Sequence, residues 1–195
     1  MVHRPVTRIA RAARKFKRCF LCPRAGLGAI SRLWQQANNH GTAKNMAGRF
    51  FDEWQIGDRI VHEIRRTVTE TDNLLFSVMT HNPQPLHIDA EAARASEFGQ
   101  ILVNGTFTFS LMVGLSVGDT TLGTLVANLG YDKLVMPKPV FLGDTLRAET
   151  AVIALKESKS RPDAGVVTFR HIMLNQRGET VCSCERAALM KRKPS

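Results

Sequence analysis

The feature that most constrains this chain is a run of fifteen residues without a charge, from Val103 to Val117. A helix through this run has apolar residues on nearly all sides, which is typical of a buried helix. Asn104 is a suitable N-cap, and Gly118 with Asp119 is predicted to end the helix. Such a helix needs a covering layer, which the rest of the chain has to supply.

The covering layer is predicted to be an antiparallel sheet. Before the helix, Arg59 to Thr69 alternates and favours a strand. Four further strands are predicted after it: Leu125 to Met136, Thr145 to Leu155, Val166 to Leu174 and Thr180 to Met190. Asn175 to Gly178 has the composition of a hairpin turn. One strand, then helices, then successive strands predict an α+β fold with the sheet wrapped around the central helix.

Two shorter helices are predicted ahead of the buried one. One covers Asn73 to Met79, and the other covers Ala90 to Ala95 with Asp89 as its N-cap. The loop between them, His81 to His87, contains two prolines, which are predicted to exclude helix there.

The net charge of +10 suggests an anionic partner, but the charge is confined to one end. Residues 1–51 hold 11 Lys and Arg and no acid, whereas residues 52–195 hold 16 Lys and Arg against all 17 acids. The net charge of that larger part is −1. Nucleic-acid binding by the whole protein is therefore excluded as its function.

The chain is predicted to divide into a basic, disordered or weakly helical extension over residues 1–45 and one domain over 46–195. Three interpretations of the extension are open: a mitochondrial transit peptide directing the protein to the matrix, a basic arm, or a start codon set too far upstream. The third is favoured, with Met46 as the start. Residues 1–45 are then expected to be dispensable for fold and activity.

The four cysteines predict neither a disulfide framework nor a metal site. Cys19 and Cys22 lack a second pair of ligands at a suitable spacing, and Cys182 and Cys184 share one face of a strand. The apolar stretches are shorter than a membrane span. We therefore predict a cytoplasmic protein with no cofactor, no metal and no membrane partner.

The loop from His81 to His87 carries the densest set of reactive groups. Two histidines, an asparagine and a glutamine lie there, and histidine is the usual general acid or base near neutral pH. A polar turn that satisfies its own backbone explains these residues equally well. At the start of the buried helix, the amide of Gly105 beside Asn104 can approach a ligand where the dipole favours negative charge. An ordinary helix cap is the alternative.

Three segments, in this order, resemble the MaoC-type dehydratases, the (R)-specific enoyl-CoA hydratases. Phe76–Ala93 resembles their signature loop, with Pro85-Leu86-His87 on the pattern. Phe98–Gly105 resembles their approach to a central helix, and Met136–Leu146 their Pro-Val-x-x-Gly-Asp-Thr-Leu segment. The resemblance spans about residues 50–192. It implies a hot-dog fold, a homodimer or higher homo-oligomer with the active site near the subunit interface, and a CoA-thioester substrate.

The resemblance also implies catalytic roles. His87 would act as general base toward water during hydration and as acid in the reverse direction. Asn82 stands where the family has an aspartate and would hold the same water by a hydrogen bond. The Gly105 amide would donate to the thioester oxygen. The predicted substrate-binding residues are Gln84, which braces the loop, Asn104, and Lys138, whose charge suits CoA phosphates.

The implied activity is that of a hydro-lyase acting on a short, branched or dicarboxylic enoyl-CoA, as in the mesaconyl-CoA hydratase-like subgroup. An acyl-CoA thioesterase is one alternative, but such enzymes usually place a carboxylate on or beside the central helix, and residues 104–117 contain none. A non-catalytic acyl-CoA-binding protein is the other alternative, because the family's aspartate is replaced.

Overall fold

The structure, a computed structural model, describes residues 48–194 of the 195-residue chain. The predicted extension over residues 1–45, with Cys19 and Cys22, lies outside these residues and stays a prediction. A short 3-10 turn, Phe51–Glu53, precedes the main elements. These are β1 (Arg59–Thr67), α1 (Glu70–Met79), α2 (Pro85–Ile88), α3 (Ala90–Ala95), α4 (Gly105–Thr120), β2 (Leu125–Val135), β3 (Thr145–Glu157), β4 (Ala164–Leu174) and β5 (Thr180–Lys191).

The five strands form one antiparallel sheet in the order β1-β3-β4-β5-β2. The hairpin between β4 and β5 turns at Asn175–Gly178, where Gly178 has a φ of 77° that suits glycine. β1 and β2 are the two edge strands of the sheet. β2 directly follows the central helix in the sequence. The predicted α+β fold with an antiparallel sheet is confirmed.

The helix α4 packs its buried face against β1, β3, β4 and β5. Its fully buried residues recur every four positions: Thr108, Met112, Ser116 and Thr120. Asn104 is the N-cap, as predicted, and the helix runs past the predicted end to Thr120. The prediction of a buried helix therefore holds for one face only. The strands cover that face, with Met112 in the resulting core, while the other sides of α4 are half-buried or exposed.

The prediction that prolines exclude helix from His81–His87 is wrong for the second half of this segment. Pro85 is the first residue of α2. Proline is tolerated there because its fixed φ suits the first helical turn and its missing N–H has no partner in that turn anyway. The predicted cap of α3 is confirmed: Asp89 Oδ1 accepts from the N–H of Glu91 and of Ala92, at 2.9 and 3.1 Å.

A chain of polar groups lies across the buried face of the sheet. His62 Nδ1 lies 2.8 Å from Asp119 Oδ2, and His62 Nε2 lies 2.8 Å from Thr150 Oγ1. Thr150 Oγ1 is also 2.8 Å from His171 Nδ1. Burial lowers the pKa of His171 to about 3, and the nearby Arg186 and His62 act in the same direction. His171 is therefore a neutral core histidine in the folded protein.

Cys182 and Cys184 are buried on one face of β5, as predicted, and both are free thiols. Burial raises the pKa of Cys182 to about 12 and that of Cys184 to about 11, so neither forms a thiolate near neutral pH. In residues 48–194, no helix is long and apolar enough to cross a membrane. The cytoplasmic location stays a prediction.

The pKa of His171 predicts how stability depends on pH. An unfolded histidine has a pKa of about 6.5, so below that pH the unfolded chain takes up a proton that the folded protein refuses until about pH 3. The free energy of unfolding should therefore fall with falling pH by up to about 1.4 kcal/mol per pH unit. His171→Asn keeps a polar atom for Thr150 but cannot be protonated. The pH dependence caused by His171 should therefore be absent when the free energy of unfolding of this variant is measured by urea titration at about pH 7, 6 and 5.

The matched control is His81→Asn. This substitution removes an exposed histidine at a position with a left-handed backbone conformation, which asparagine tolerates. It should retain the pH dependence of the wild type. An equal pH dependence in His171→Asn and the wild type would contradict the prediction.

Candidate active site

The signature loop begins with a tight reversal after α1. Thr80 Oγ1 donates to the carbonyl of Phe76 at 2.8 Å, and the N–H of Asn82 donates to the carbonyl of Ser77 at 2.9 Å. Between them, His81 has a φ of 52°, in the left-handed region, and its side chain is exposed. The reversal sets the start of α2 beside the end of α1.

Asn82 uses half of its side-chain amide to hold the loop. Its Oδ1 accepts from the N–H of Gln84 at 3.1 Å, which is a turn of the kind asparagine favours. Within the described part of the chain, its Nδ2 has no hydrogen-bond partner, so this donor is available to a bound molecule. Gln84 braces the loop through its backbone N–H, while its side chain is exposed.

His87 has one ring nitrogen committed to the protein. Its Nδ1 lies 2.8 Å from the carbonyl oxygen of Leu102, and a carbonyl only accepts, so Nδ1 carries the proton in the neutral ring. Nε2 then carries the lone pair. The N–H of Leu102 donates to the carbonyl of Leu86 at 3.0 Å, which further fixes the segment that orients the ring. This arrangement suits a general base.

Asn73, on α1, is a site residue that the sequence did not reveal. Its side chain is only 2% exposed. Its Nδ2 donates to the carbonyl of His87 at 2.8 Å, and its Oδ1 accepts from the N–H of Asn104 at 2.9 Å. One amide therefore ties the histidine helix to the start of α4. The only signal in the sequence is a polar residue at the start of an apolar helix, which equally suggests a cap.

Asn104 shapes the start of α4 with all of its side-chain groups. Its Oδ1 accepts from the N–H and the hydroxyl of Thr106 at 3.0 and 2.6 Å, and its Nδ2 donates to Ser77 Oγ at 3.3 Å. Direct contact between Asn104 and substrate stays a prediction. Gly105 follows in the first turn, where helix N–H groups lack an intrahelical partner. A Cβ at Gly105 would lie 2.5 Å from Met136 Sδ, so only glycine fits this position without movement.

A cavity of about 370 Å³ opens beside the start of α4. Gly105, Thr108 and Lys138 bring polar groups to its wall, which is otherwise mainly apolar, with Phe98, Leu102 and Val140 among its residues. Leu102 connects this wall to the ring of His87. Of the predicted site residues, Gly105 and Lys138 line the cavity. His87 is not a lining residue and is connected to the wall through its hydrogen bond to Leu102, while Asn82 and Gln84 lie on the loop that precedes it. Residues 48–194 contain no group of three His, Cys, Asp or Glu suited to holding a metal ion.

The bridge made by Asn73 can be tested by truncation. Asn73→Ala would leave the buried N–H of Asn104 and the carbonyl of His87 without their partner, which costs about 1–3 kcal/mol for each buried group. We expect a loss of about 2–4 kcal/mol in the free energy of unfolding, measured by urea titration.

The matched control is Asn82→Ala, which removes a single hydrogen bond in a more exposed loop. It should cost about 1 kcal/mol or less. Equal losses in the two variants would show that Asn73 does not connect the two helices.

Comparisons with known proteins identify the family and the fold. The family described as "MaoC like domain" matches residues 52–173. The chain is 40% identical over 150 residues to the mesaconyl-CoA hydratase of Cereibacter sphaeroides, an alignment that covers 77% of this chain and 43% of that protein. The chain therefore spans less than half the length of that relative.

One solved structure supports the same family, and a second shows the fold alone. The MaoC-like dehydratase from Rhodospirillum rubrum is 35% identical with a TM-score of 0.67, over 76% of this chain and 100% of that chain. A Mycobacterium tuberculosis protein described as having a double hotdog fold is 21% identical with a TM-score of 0.69, over 76% of this chain and 46% of that chain, which shows the shared fold. The chain accordingly belongs to the MaoC-like dehydratase family and has the hot-dog fold.

Proposed function

We propose that the protein is a hydro-lyase that reversibly adds water across the double bond of a short enoyl-CoA thioester with a branched or dicarboxylic acyl group. The observation that carries this proposal is the ring of His87, whose Nδ1 is held by the carbonyl of Leu102 so that Nε2 is the basic nitrogen. The apolar cavity at the start of α4 suits an acyl group. The identity to a mesaconyl-CoA hydratase supports the substrate class.

The proposed mechanism uses three groups of the site. His87 Nε2 takes a proton from water as the water oxygen bonds to the β-carbon, and Asn82 Nδ2 donates to that water and orients it. The electron pair of the double bond moves toward the α-carbon, and the thioester oxygen gains negative charge. The Gly105 amide and the dipole of α4 stabilise that charge. The α-carbon then takes a proton from His87, and the product is a 3-hydroxyacyl-CoA.

The lining of the cavity argues against the thioesterase alternative. Its residues include no aspartate or glutamate. The acidic residue of α4, Asp119, lies near the far end of the helix and contacts His62. A carboxylate positioned to attack a thioester or to activate water is therefore missing from the wall of this cavity. The binding-protein alternative is an outcome of the next experiment.

The variant His87→Ala tests the catalytic assignment. We expect turnover to fall by about a hundredfold or more, as for the loss of a general base, measured by the ultraviolet absorbance of the enoyl thioester. His81→Asn, which changes the exposed histidine of the same loop, should keep the wild-type turnover. An active His87→Ala variant would contradict the assignment.

A wild-type protein that binds saturated acyl-CoA but converts no enoyl-CoA would instead be a binding protein.

Asn82→Asp tests how the loop holds its water. The substitution restores the family's carboxylate and keeps an acceptor for the N–H of Gln84. It removes the Nδ2 donor and adds a negative charge. We expect it to abolish activity on a dicarboxylic substrate, in the same absorbance assay, because the water loses its donor and the added charge repels the negative charge that develops on the substrate. Retained activity on such a substrate would show that the Nδ2 donor is not needed and that Asn82 only positions the water.

We propose that two copies of the chain pair through β2, close to the active site. This edge strand exposes a row of large apolar side chains, and exposed apolar edges favour association. The exposed residues are Leu129, Tyr131, Leu134 and Val135 on the strand, and Met136 directly after it. Met136 also lines the cavity, so the interface would adjoin the site. The double hotdog protein, of which this chain matches less than half, supports pairing of two such units.

Matched substitutions on the two edge strands test this pairing. Val135 on β2 and Val61 on β1 are 53% and 64% exposed, so lysine at either position fits the isolated chain. We expect Val135→Lys to give a monomer and Val61→Lys to keep the dimer, by light scattering. Dimeric Val135→Lys together with monomeric Val61→Lys would place the interface on the opposite edge.

A further inference from the structure

Thr108 presents a buried hydroxyl that the protein does not use. It lies in the first turn of α4, is 1% exposed and lines the cavity beside Gly105. Its Oγ1 has no hydrogen-bond partner in the described part of the chain. Buried hydroxyls in proteins are nearly always paired, so an unpaired hydroxyl on a residue that lines a cavity points to a bound partner.

Among the three hydroxyls on the buried face of α4, only that of Thr108 lacks a hydrogen-bond partner. Ser116 Oγ donates to the carbonyl of Val113 at 2.7 Å, and Thr120 Oγ1 donates to the carbonyl of Ser116 at 2.6 Å. Both satisfy themselves within the helix, as serine and threonine commonly do. The hydroxyl of Thr108 makes no such bond, and it is the one of the three that lines the cavity.

The position of Thr108 relates it to the acyl part of a substrate. Residues three apart lie on the same side of a helix, so Thr108 follows Gly105 along the cavity wall. A thioester oxygen bound at the Gly105 amide would direct the acyl chain past Thr108. The volume of about 370 Å³ is at the low end for ligand cavities, which suits a short chain.

Charge decides which polar group fits beside this hydroxyl. Lys138 is the charged residue among those lining the cavity; it is exposed and also interacts electrostatically with Glu179, and its positive charge favours a negative group on the acyl chain over a neutral one. That Lys138 meets CoA phosphates stays a prediction, and its place among the lining residues also allows it to meet the acyl end. A carboxylate can accept from both Thr108 Oγ1 and the ammonium of Lys138.

We propose that Thr108 Oγ1 donates a hydrogen bond to the second carboxylate of a short dicarboxylic enoyl-CoA, with Lys138 balancing its charge, and thereby sets the preference for dicarboxylic over unsubstituted acyl groups. The CoA thioester in this assignment rests on the proposed hydro-lyase function. The carboxylate rests on the free hydroxyl, the lysine and the cavity.

The test compares kcat/KM for mesaconyl-CoA with kcat/KM for crotonyl-CoA. Thr108→Val replaces the hydroxyl by a methyl group of similar size, and we expect the ratio of the two constants to fall about tenfold or more. Thr108→Ser restores a hydroxyl and should restore the ratio. Thr120→Val is the matched control, since that hydroxyl is bonded within the helix and lies away from the cavity, and it should leave the ratio unchanged.

A binding measurement separates this assignment from the proposed activity. Calorimetry with methylsuccinyl-CoA and butyryl-CoA, which are saturated, measures the same preference without catalysis. If no enoyl-CoA is converted but Thr108→Val loses the preference in binding, the hydro-lyase proposal fails and the role of Thr108 stands. If turnover is present and Thr108→Val leaves the preference unchanged in both assays, the hydroxyl is partnered by solvent alone and the role of Thr108 is refuted. Should Thr108→Val fail to fold, Thr108→Ala removes the same hydroxyl.

Discussion

The candidate site depends on one buried side-chain amide. Asn73 donates to the carbonyl of His87 and accepts from the N–H of Asn104, so it joins the helix that carries the proposed base to the helix start that lies beside the cavity. Because a hydrogen bond tolerates only small errors in distance, this bridge fixes the two parts relative to each other. General-base catalysis and stabilisation of a thioester oxygen need that fixed relation, since each loses its effect with small displacements.

The central helix α4 divides into two halves with different chemistry. Near its C-terminal end, the polar groups are already paired: Ser116 and Thr120 bond within the helix, and Asp119 contacts His62. Near its start, Gly105 and Thr108 face the cavity. Paired groups hold the helix on the sheet at one end, while the other end borders the cavity to which we assign the ligand. In this proposal, binding and stability are separated along a single helix.

The edge strand β2 connects the cavity to the proposed pairing of two chains. It leads directly to Met136, which contacts the Cα side of Gly105 and lines the cavity. A partner covering the exposed apolar row of β2 would also restrict this residue. The same stretch of chain would therefore shape both the subunit contact and one wall of the acyl cavity.

Local rules of the sequence determined most of the fold. The uncharged run predicted α4, Asn104 its cap, and alternation the five strands, because burial and capping depend on near neighbours in the chain. The family resemblance on the Pro85-Leu86-His87 segment led to His87 as the proposed base, whereas the rule against helix at proline failed where Pro85 starts a helix. Only the tertiary structure decided that β2 is an edge strand, that Asn73 bridges residues 14 and 31 positions away, and that the buried hydroxyl of Thr108 has no hydrogen-bond partner in the described residues. The physical reason is that each of these depends on which distant groups come within hydrogen-bonding distance, and no local pattern in the chain encodes that.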